Sequence, residues 1–526
     1  MNLATQASTA CATTTSSTFS EVGQAVPARP TSLRAILLQL PGGLPHQVRH
    51  GAPQASGANR VRIRLAELRH EFRPMLRLAA PLAVAELGWM LMGIVDTMMA
   101  GPLGAGAVGT GSLGGMVFFP IAICGTGMLL GMDTLVAQAF GANDMQDARR
   151  TLVNGIWLGT AFSPWVALIL WAMIPVLRAA GVNPRVMVML GPFIRNLLWG
   201  VWPLLLYAAF RRYLQAVNIV KPVTIALVSA NLINAAGNWV LMFGHCGAPA
   251  MGVAGSALST SLSRAYMAAV LLATILWHER QTGNWLFHIS WRPELTRIRR
   301  LIELGLPAAG QILFEGAVWA IVTTLAARLD EASLAAHGIA ANVVFTTFMV
   351  PLGISSAAAV RVGQAYGRRD IHAAAVSGWT ALLMSSLFMG TSGLVLAILP
   401  QWIVRLYVGE AAVVASGAVL LRIAAVFELF DGLQVVAGGA LRGIGDTRTP
   451  MLVHLAGYWA IGLPVAYGLC FGLRWGAPGI WAGLSAAIVL IGAALVVFWR
   501  RAIRIATRPW DPRASRAAPA ATPPTA

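Results

Sequence analysis

Charge is scarce in this chain of 526 residues. Charged residues make up 11% of it and hydrophobic residues 57%. A soluble domain carries roughly 25% charged residues, so a chain of this length and composition could not cover a water-exposed surface. The mean hydropathy of +0.68 points the same way. We therefore expect an integral membrane protein whose surface is largely solvated by lipid.

Cysteine and nucleotide-binding patterns are also sparse. The four cysteines show no CxxC or Cys/His spacing of a metal site, so we expect them to be unpaired. No GxxxxGK(S/T) phosphate-binding loop is present, which argues against an ATP-driven pump. No cofactor is expected, and the energy for any transport would come from an ion gradient or from the substrate's own gradient.

Basic residues outnumber acidic ones by 38 to 20, which gives a net charge of +18. The arginines cluster at the two ends and between apolar runs, where membrane orientation signals lie. We therefore expect no nucleic-acid partner. Residues 1–72 are rich in Ala, Thr, Ser, Pro and Arg without apolar periodicity, and residues 508–526 are similar, so both are predicted to be disordered tails.

About twelve apolar runs, each long enough to span a bilayer, lie between the tails. They predict an all-α integral membrane protein with an N-terminal six-helix bundle at 73–285 and a C-terminal one at 286–507. The approximate spans are 76–100, 106–139, 152–177, 186–210, 222–243, 251–277, 301–327, 332–362, 374–400, 413–440, 450–473 and 478–499.

Basic residues are concentrated in every second loop. Arginines follow spans two, four, six, eight and ten, whereas the alternate loops carry few. Because basic loops stay in the cytoplasm, we expect both termini to be cytoplasmic in a multi-pass protein of the plasma (inner) membrane.

The two halves repeat. Gln138-Ala139-Phe140-Gly141 recurs 226 residues later as Gln364-Ala365-Tyr366-Gly367, and at the same shift Pro81 meets Pro307. The shift covers six spans, an even number, so the halves share one orientation and are related by an axis along the membrane normal. Two such bundles can rock around a central cleft and give alternating access.

Ionisable residues inside a span are expensive, at about 2.5 to 3.5 kcal/mol for Asp at the helix centre, and so mark function or internal ion pairs. The candidates are Asp96 in span one, Glu315 in span seven and Asp431 in span ten, with Asn234 and Asn238 on one face of span five. Such carboxylates can bind H⁺, coordinate Na⁺ or attract a cationic drug.

The alternative for each acid is a structural ion pair with a helix arginine. Arg195, Arg264 and Arg422 are the candidate partners. For the further intramembrane acids Glu86, Asp133 and Glu428, the structural role is as well supported as the functional one. The loop acids Asp144, Asp147 and Asp446 are better interpreted as helix caps.

The matched prolines Pro81 and Pro307 suggest a pair of gating helices. Each removes a backbone donor and can kink its helix. Tolerance of proline in the first turn of a helix is an equally good explanation.

Several segments, in order and in both halves, resemble the multidrug and toxic compound extrusion (MATE) family, most closely its bacterial NorM-like branch. The resemblance covers about residues 72–500. The segments are Val95–Gly101, the paired Gln-Ala-Phe/Tyr-Gly motifs, Phe314-Glu315, Ala335-Ala336-His337, Arg361-Val362-Gly363-Gln364, and Asp431 followed by Leu441-Arg442-Gly443.

The resemblance implies a MATE-like fold and a cation-coupled antiporter, driven by H⁺ or Na⁺, that expels organic, often cationic, compounds. It maps cation coupling onto Asp96, Glu315, Asp431, Asn234 and Asn238, with substrate or Na⁺ also at Glu315 and Asp431. The family often has Tyr four residues before the span-ten Asp, and this chain has Phe427, which weakens the case for Na⁺. We expect a lipid-embedded monomer.

Three other classes of protein share some of these features. A major-facilitator exporter also has twelve spans, but the loop Gly141–Arg150 matches its pattern poorly. A lipid-linked flippase would need a basic cleft, whereas the intramembrane candidates here are acidic. A membrane enzyme acting on lipid substrates would need clustered carboxylates with Arg or His at the membrane face. We therefore expect a transporter and not an enzyme.

Overall fold

The computed structural model describes residues 64–281 and 290–507. Within these two ranges the regular structure is helical and no strand occurs. The helices are α1 (Leu65–Ala100), α2 (Ala105–Met128), α3 (Gly131–Gly141), α4 (Met145–Ala179), α5 (Pro184–Trp199), α6 (Val201–Ala216), α7 (Lys221–Phe243), α8 (Val253–Gln281), α9 (Leu295–Ala326), α10 (Glu331–Gly367), α11 (Ile371–Ile398), α12 (Pro400–Arg405), α13 (Ala411–Gly443), α14 (Arg448–His454), α15 (Leu463–Tyr467) and α16 (Ala477–Ala506).

The span count agrees with the sequence. Eleven helical segments of the described chain are long and apolar enough to cross a membrane, with α2–α3 counted as one and α14–α15 as another. The pair α5–α6 makes a twelfth span, bent by 42° at Gly200. The all-α, twelve-span architecture is therefore confirmed.

The tail boundary differs from the prediction. Helix α1 begins at Leu65, so residues 65–72, predicted to belong to the disordered N-terminal tail, are helical. The helix starts there because the Arg64 backbone N–H donates to Glu67 at 3.0 Å. The other predicted tail residues, 1–63 and 508–526, lie outside the described residues.

Two hydrophobic cores divide the molecule. One consists mainly of residues from α2 to α8, and the other mainly of residues from α9 to α16. The first helix of each half departs from this division: Met75–Leu82 of α1 packs in the second core, and Leu301 of α9 packs in the first. The first helix of each bundle therefore packs partly in the core of the other bundle, and α1 and α9 join the two bundles.

The contacts between the bundles are reciprocal, as a two-fold relation requires. A Cβ on Gly141 would overlap the backbone of Gln364, and one on Gly367 would overlap the backbone of Gln138. Deeper in the interface, Gly127 approaches Ala309 and Gly353 approaches Ala83. In each pair the second contact is the first one shifted by 226 residues, so the sequence repeat is a repeat in space.

Polar contacts between the bundles gather at one end. This end, here called the basic end, is where α1 begins and where α3, α6, α10 and α13 finish. There Thr134 donates to the carbonyl of Arg442 at 2.6 Å, and Gln138 donates to the carbonyl of Gly443 at 2.9 Å. Arg361 pairs with Glu71 of α1 at 2.6 Å. The bundles are thus closed against each other at the basic end.

The predicted helix caps are mostly present. Asp144 and Asp370, equivalent in the repeat, accept from the backbone N–H groups of Asp147 and Ala373 at 2.9 and 2.8 Å. Asp446 accepts from Thr449 at 3.0 Å. Asp147 is different, because its side chain forms an ion pair with Arg297 of the other bundle at 2.7 Å. Its assignment as a cap was wrong.

Candidate functional site

The first bundle gathers three of the predicted site residues around one carboxylate. Asp96 lies near the end of α1, and Asn234 and Asn238 lie one turn apart on α7. Asn238 donates to Asp96 at 2.6 Å, and Thr260 of α8 donates to the other carboxylate oxygen at 3.2 Å. Asn234 donates to Thr260 at 3.3 Å. Thr260 was missed from the sequence, since nothing in α8 marks one hydroxyl among its many Ser and Thr residues.

An arginine lies one turn beyond this carboxylate site. Arg264 of α8 is 5% exposed, and its guanidinium carbon stacks 4.3 Å from the centre of the Phe118 ring. It forms no ion pair within 4.0 Å among the described residues, although it interacts with the charge of Asp96 at longer range. Asp96 is therefore held by neutral donors and not by a direct salt bridge.

The second bundle holds the other two predicted acids. Asp431 of α13 is 5% exposed, whereas Glu315 of α9 is partly exposed. Gln434, one turn along α13, donates to Asp431 at 2.7 Å and to the hydroxyl of Tyr458 at 3.1 Å. That hydroxyl in turn interacts with the carboxylate of Glu315. One amide and one phenol thus link the two carboxylates.

Tyr458 provides, from another helix, the tyrosine hydroxyl that Phe427 lacks. Phe427 is fully buried against Trp481, 6.2 Å between ring centres, and contributes no polar atom. Tyr458 supplies the hydroxyl from the next span instead. It lies in a π-helical stretch, Leu455–Gly462, which rotates the chain locally, and such stretches are frequent at functional sites. Sequence periodicity assumes a regular helix and could not place Tyr458 here.

The predicted acids divide into paired and unpaired sets. Glu86 pairs with Arg211, and Asp133 pairs with Arg212 at 3.1 Å and with Arg442 at 3.9 Å. The structural alternative holds for these two acids, but the expected partners Arg195, Arg264 and Arg422 were wrong. Arg211 and Arg212 directly follow predicted span four, where basic residues indicate only the orientation of the loop.

The unpaired set is Asp96, Glu315, Asp431 and Glu428. None of the four lies within 4.0 Å of a Lys, Arg or His nitrogen in the described chain. No group of three metal-binding side chains occurs in the same ranges. With no direct ion pair in the described chain, these carboxyl groups can take a proton or a small cation, or meet a cationic ligand.

The candidate gating prolines occupy equivalent places. Pro81 and Pro307 lie well inside α1 and α9, so the first-turn explanation was wrong. The carbonyl of Pro81 accepts from Thr224 of α7 at 2.8 Å. Both helices continue past their proline and carry a site carboxylate, Asp96 or Glu315, nearer their far end. The role of these prolines in gating stays a prediction.

Each of the two bundles matches the same known family of proteins. The sequence profile described as MatE matches residues 81–240 and 307–468, one match in each bundle. The chain belongs to the MATE family. Its matched segments include all five predicted coupling residues, Asp96, Asn234, Asn238, Glu315 and Asp431.

Curated relatives match along nearly their whole length. A probable multidrug resistance protein NorM of Mesorhizobium japonicum is 37% identical over 445 residues, which cover 83% of this chain and 95% of the relative. One of Pseudomonas putida is 34% identical and covers 81% and 93%. The NorM-like branch indicated by the motifs is thereby confirmed.

Solved structures share the fold at lower identity. The eukaryotic MATE transporter AtDTX14 superimposes with a TM-score of 0.75 at 19% identity, over 84% of this chain and 99% of that one. A multidrug resistance MATE transporter in an outward-facing conformation gives a TM-score of 0.76 at 18% identity, over 84% and 98%. The MATE-like fold and the multi-pass membrane character are therefore established.

Proposed function

We propose that this protein exports organic, chiefly cationic, compounds in exchange for H⁺ by alternating access. The observation that carries the proposal is the set of intramembrane carboxyl groups without a basic partner. Glu86 and Asp133 show that the chain pairs its acids where it needs them for structure. Asp96, Glu315 and Asp431 are left free to bind a mobile cation.

Exchange follows from competition for one charge. A cation is attracted to a carboxylate more strongly in a low-dielectric site than in water. A proton on Glu315 or Asp431 removes the charge that a cationic substrate needs. Binding of either therefore favours release of the other by the same coupling free energy.

The contacts at Asp431 favour H⁺ over Na⁺. One carboxylate oxygen already accepts an amide N–H from Gln434 at 2.7 Å, which competes with a metal ion for that oxygen. The side chain of Phe427 offers no oxygen, and the hydroxyl that Gln434 contacts in the described chain is that of Tyr458. Na⁺ coupling is the alternative that the gradient experiment below separates.

The breadth of substrates rests on the relatives. Proteins similar to this chain over at least 90% of their length carry the description probable multidrug resistance protein NorM. Together with the acidic sites, this supports drug export by a transporter rather than lipid-linked flipping or an enzymatic reaction. The protein is proposed to act as a monomer in the bacterial inner membrane.

The coupling ion is tested in inverted membrane vesicles or proteoliposomes that contain the full chain. An imposed pH gradient should drive accumulation of a fluorescent organic cation, and an imposed Na⁺ gradient without a pH gradient should not. Empty liposomes provide the control for passive leak. Accumulation driven by Na⁺ alone would replace H⁺ coupling, and accumulation with neither gradient would contradict antiport.

The same proposal places the basic end in the cytoplasm. Basic residues at Arg211, Arg212, Arg361, Arg368 and Arg442 lie at the ends of α6, α10 and α13. A reporter inserted between residues 281 and 290, which join the two bundles, should be active as a cytoplasmic fusion and inactive as a periplasmic one. A second reporter after Ala180 should behave oppositely. The reverse pattern would overturn the orientation.

A further inference from the structure

Glu428 is a buried acid that the proposed exchange at Glu315 and Asp431 does not use. It lies on α13 one turn before Asp431 and is 0% exposed. Two hydroxyl groups from other helices meet one of its oxygens: Thr347 Oγ1 of α10 lies 2.6 Å from Oε1, and Ser392 Oγ of α11 lies 3.0 Å from it. The second oxygen, Oε2, is buried with no hydrogen-bond partner.

The hydrogens at this site can be counted. Thr347 has one hydroxyl hydrogen, and its oxygen lies 2.6 Å from Glu428 Oε1 and 2.9 Å from the carbonyl of Val344. If Glu428 is ionised, Thr347 and Ser392 must both donate to Oε1, and Oε2 keeps part of a negative charge without any donor. An uncompensated charge of this kind is costly in an apolar interior.

A protonated Glu428 resolves the count. Oε1–H donates to Thr347, Thr347 donates to the Val344 carbonyl, and Ser392 can still donate to Oε1. Oε2 is then a neutral carbonyl oxygen, whose lack of a partner costs far less than that of a charged one. Each hydroxyl hydrogen has an acceptor in this arrangement.

The surrounding charges also favour the neutral acid. Asp431 on the same helix interacts with Glu428 as a like charge, and Glu315 of α9 adds to the negative charge at Asp431. Arg422 of α13 is exposed and lies on a different face of the helix. Near Glu428 the helices that pack on α13 bring no cation: α10 has no ionisable residue between His337 and Arg361, α11 has only His372, and α16 has none before Arg500. Two further helices meet α13 towards its ends: α12, with Arg405, packs at Gly417, and α3 brings Asp133 to Arg442.

We propose that Glu428, with Thr347 and Ser392, forms a second proton-binding site in the C-terminal bundle. Its proton binds at Oε1 and exchanges with solvent during the transport cycle. Because Glu428 is fully buried, a drug cannot reach it, so it binds a proton without competing for substrate. The site offers four side-chain oxygen atoms, the two of Glu428 and the hydroxyls of Thr347 and Ser392, which are too few for a metal-ion shell of about six ligands.

The site can be read out without transport. Infrared difference spectra of the full-length protein in lipid nanodiscs, recorded between mildly acidic and alkaline pH, report the C=O stretch of protonated carboxyl groups. The wild type should lose this band on alkalinisation, and Glu428→Gln should lack one component of it. Thr347→Val should shift that component, and Thr347→Ser should return it to the wild-type position, because only the hydroxyl is at issue.

Glu331→Gln removes an exposed carboxyl at the start of α10 and should leave the band as in the wild type. An unchanged band in a folded Glu428→Gln protein would overturn the proposal, and so would a Glu428 component that persists at alkaline pH. Loss of that component on adding Na⁺ at constant pH would also overturn it, in favour of a metal site. The role of Glu428 in the transport cycle rests on the proposed function, but the infrared test of its protonation does not. If H⁺-driven efflux is absent while the Glu428 component is present, the antiport proposal is refuted and the proton-binding site is not.

Discussion

Glu315→Gln and Asp431→Asn should each reach the membrane at normal levels and lose gradient-driven efflux. We expect a loss of about 5- to 150-fold, the range that coupling free energies of 1–3 kcal/mol produce. Each substitution keeps the size of the side chain and removes the charge for which proton and substrate compete. Efflux of a fluorescent organic cation under an imposed pH gradient measures the effect.

Normal folding is expected because neither carboxylate is part of an ion pair. Removing its charge leaves no buried cation behind. Glu86→Gln provides the contrast, since it would leave Arg211 without its partner, and breaking a buried pair typically costs about 3–5 kcal/mol. Glu86→Gln should therefore lower the yield of folded protein, whereas Glu315→Gln and Asp431→Asn should not.

Tyr458→Phe tests the hydrogen-bonded link between the two carboxylates separately from the carboxylates themselves. It removes the hydroxyl between Gln434 and Glu315 but leaves both charges in place. Efflux should fall less than in the carboxylate variants, because the exchange sites persist. If Glu315→Gln and Asp431→Asn both pump at the wild-type rate under a gradient, these carboxylates are structural and the exchange mechanism is wrong.

The sequence predicted the architecture because its signals are local. Apolar runs set the spans, and the shift of 226 residues between the Gln-Ala-Phe/Tyr-Gly motifs set the relation of the halves. The first-bundle site followed from the same kind of signal, since Asn234 and Asn238 share a helix face. It also depended on the family resemblance, which assigned Asp96 to the same cation-coupling site as the two asparagines.

The partners of the charged residues could not be predicted in this way. Asp133 meets Arg442, which is distant in sequence, only because the bundles touch at the basic end. Helix periodicity shows on which face of its helix a residue lies, but it does not show which other helix packs against that face. Tyr458 shows a second limit, because the π-helical turn around it changes the face on which it lies.

Gly141→Ala and Gly367→Ala should each open the basic end of the molecule. A Cβ on Gly141 would lie 2.7 Å from the Cα and the carbonyl carbon of Gln364, and one on Gly367 would lie 2.8 Å from the carbonyl carbon of Gln138. Backbone atoms cannot rotate away, so α3 and α10 must move apart. Overpacking of this kind costs about 1–3 kcal/mol, and every 1.4 kcal/mol changes the ratio of closed to open molecules about tenfold.

The matched control lies on the same helix as Gly367. Gly338 of α10 has nothing within 4 Å of an added Cβ, so Gly338→Ala should leave the closed end unchanged. Gly141 and Gly367 lie at the same crossing of α3 and α10, so the free-energy costs of the two alanine substitutions should not add. Once one alanine has separated the helices, the second meets less resistance, and the double variant should cost less than the sum of the single ones.

Opening can be measured by labelling a cysteine at the interface. Ala216 is fully buried, and its carbonyl accepts from Gln364 at 2.8 Å, so Ala216→Cys in a background with the four native cysteines replaced reports on this contact. A membrane-impermeant maleimide supplied at the basic end should react several-fold faster after Gly141→Ala or Gly367→Ala than after Gly338→Ala. The closed end depends on the glycine crossing only if both alanines raise the rate. Equal rates in all three variants would mean that the ion pairs Asp133–Arg442 and Glu71–Arg361 hold the bundles together without it.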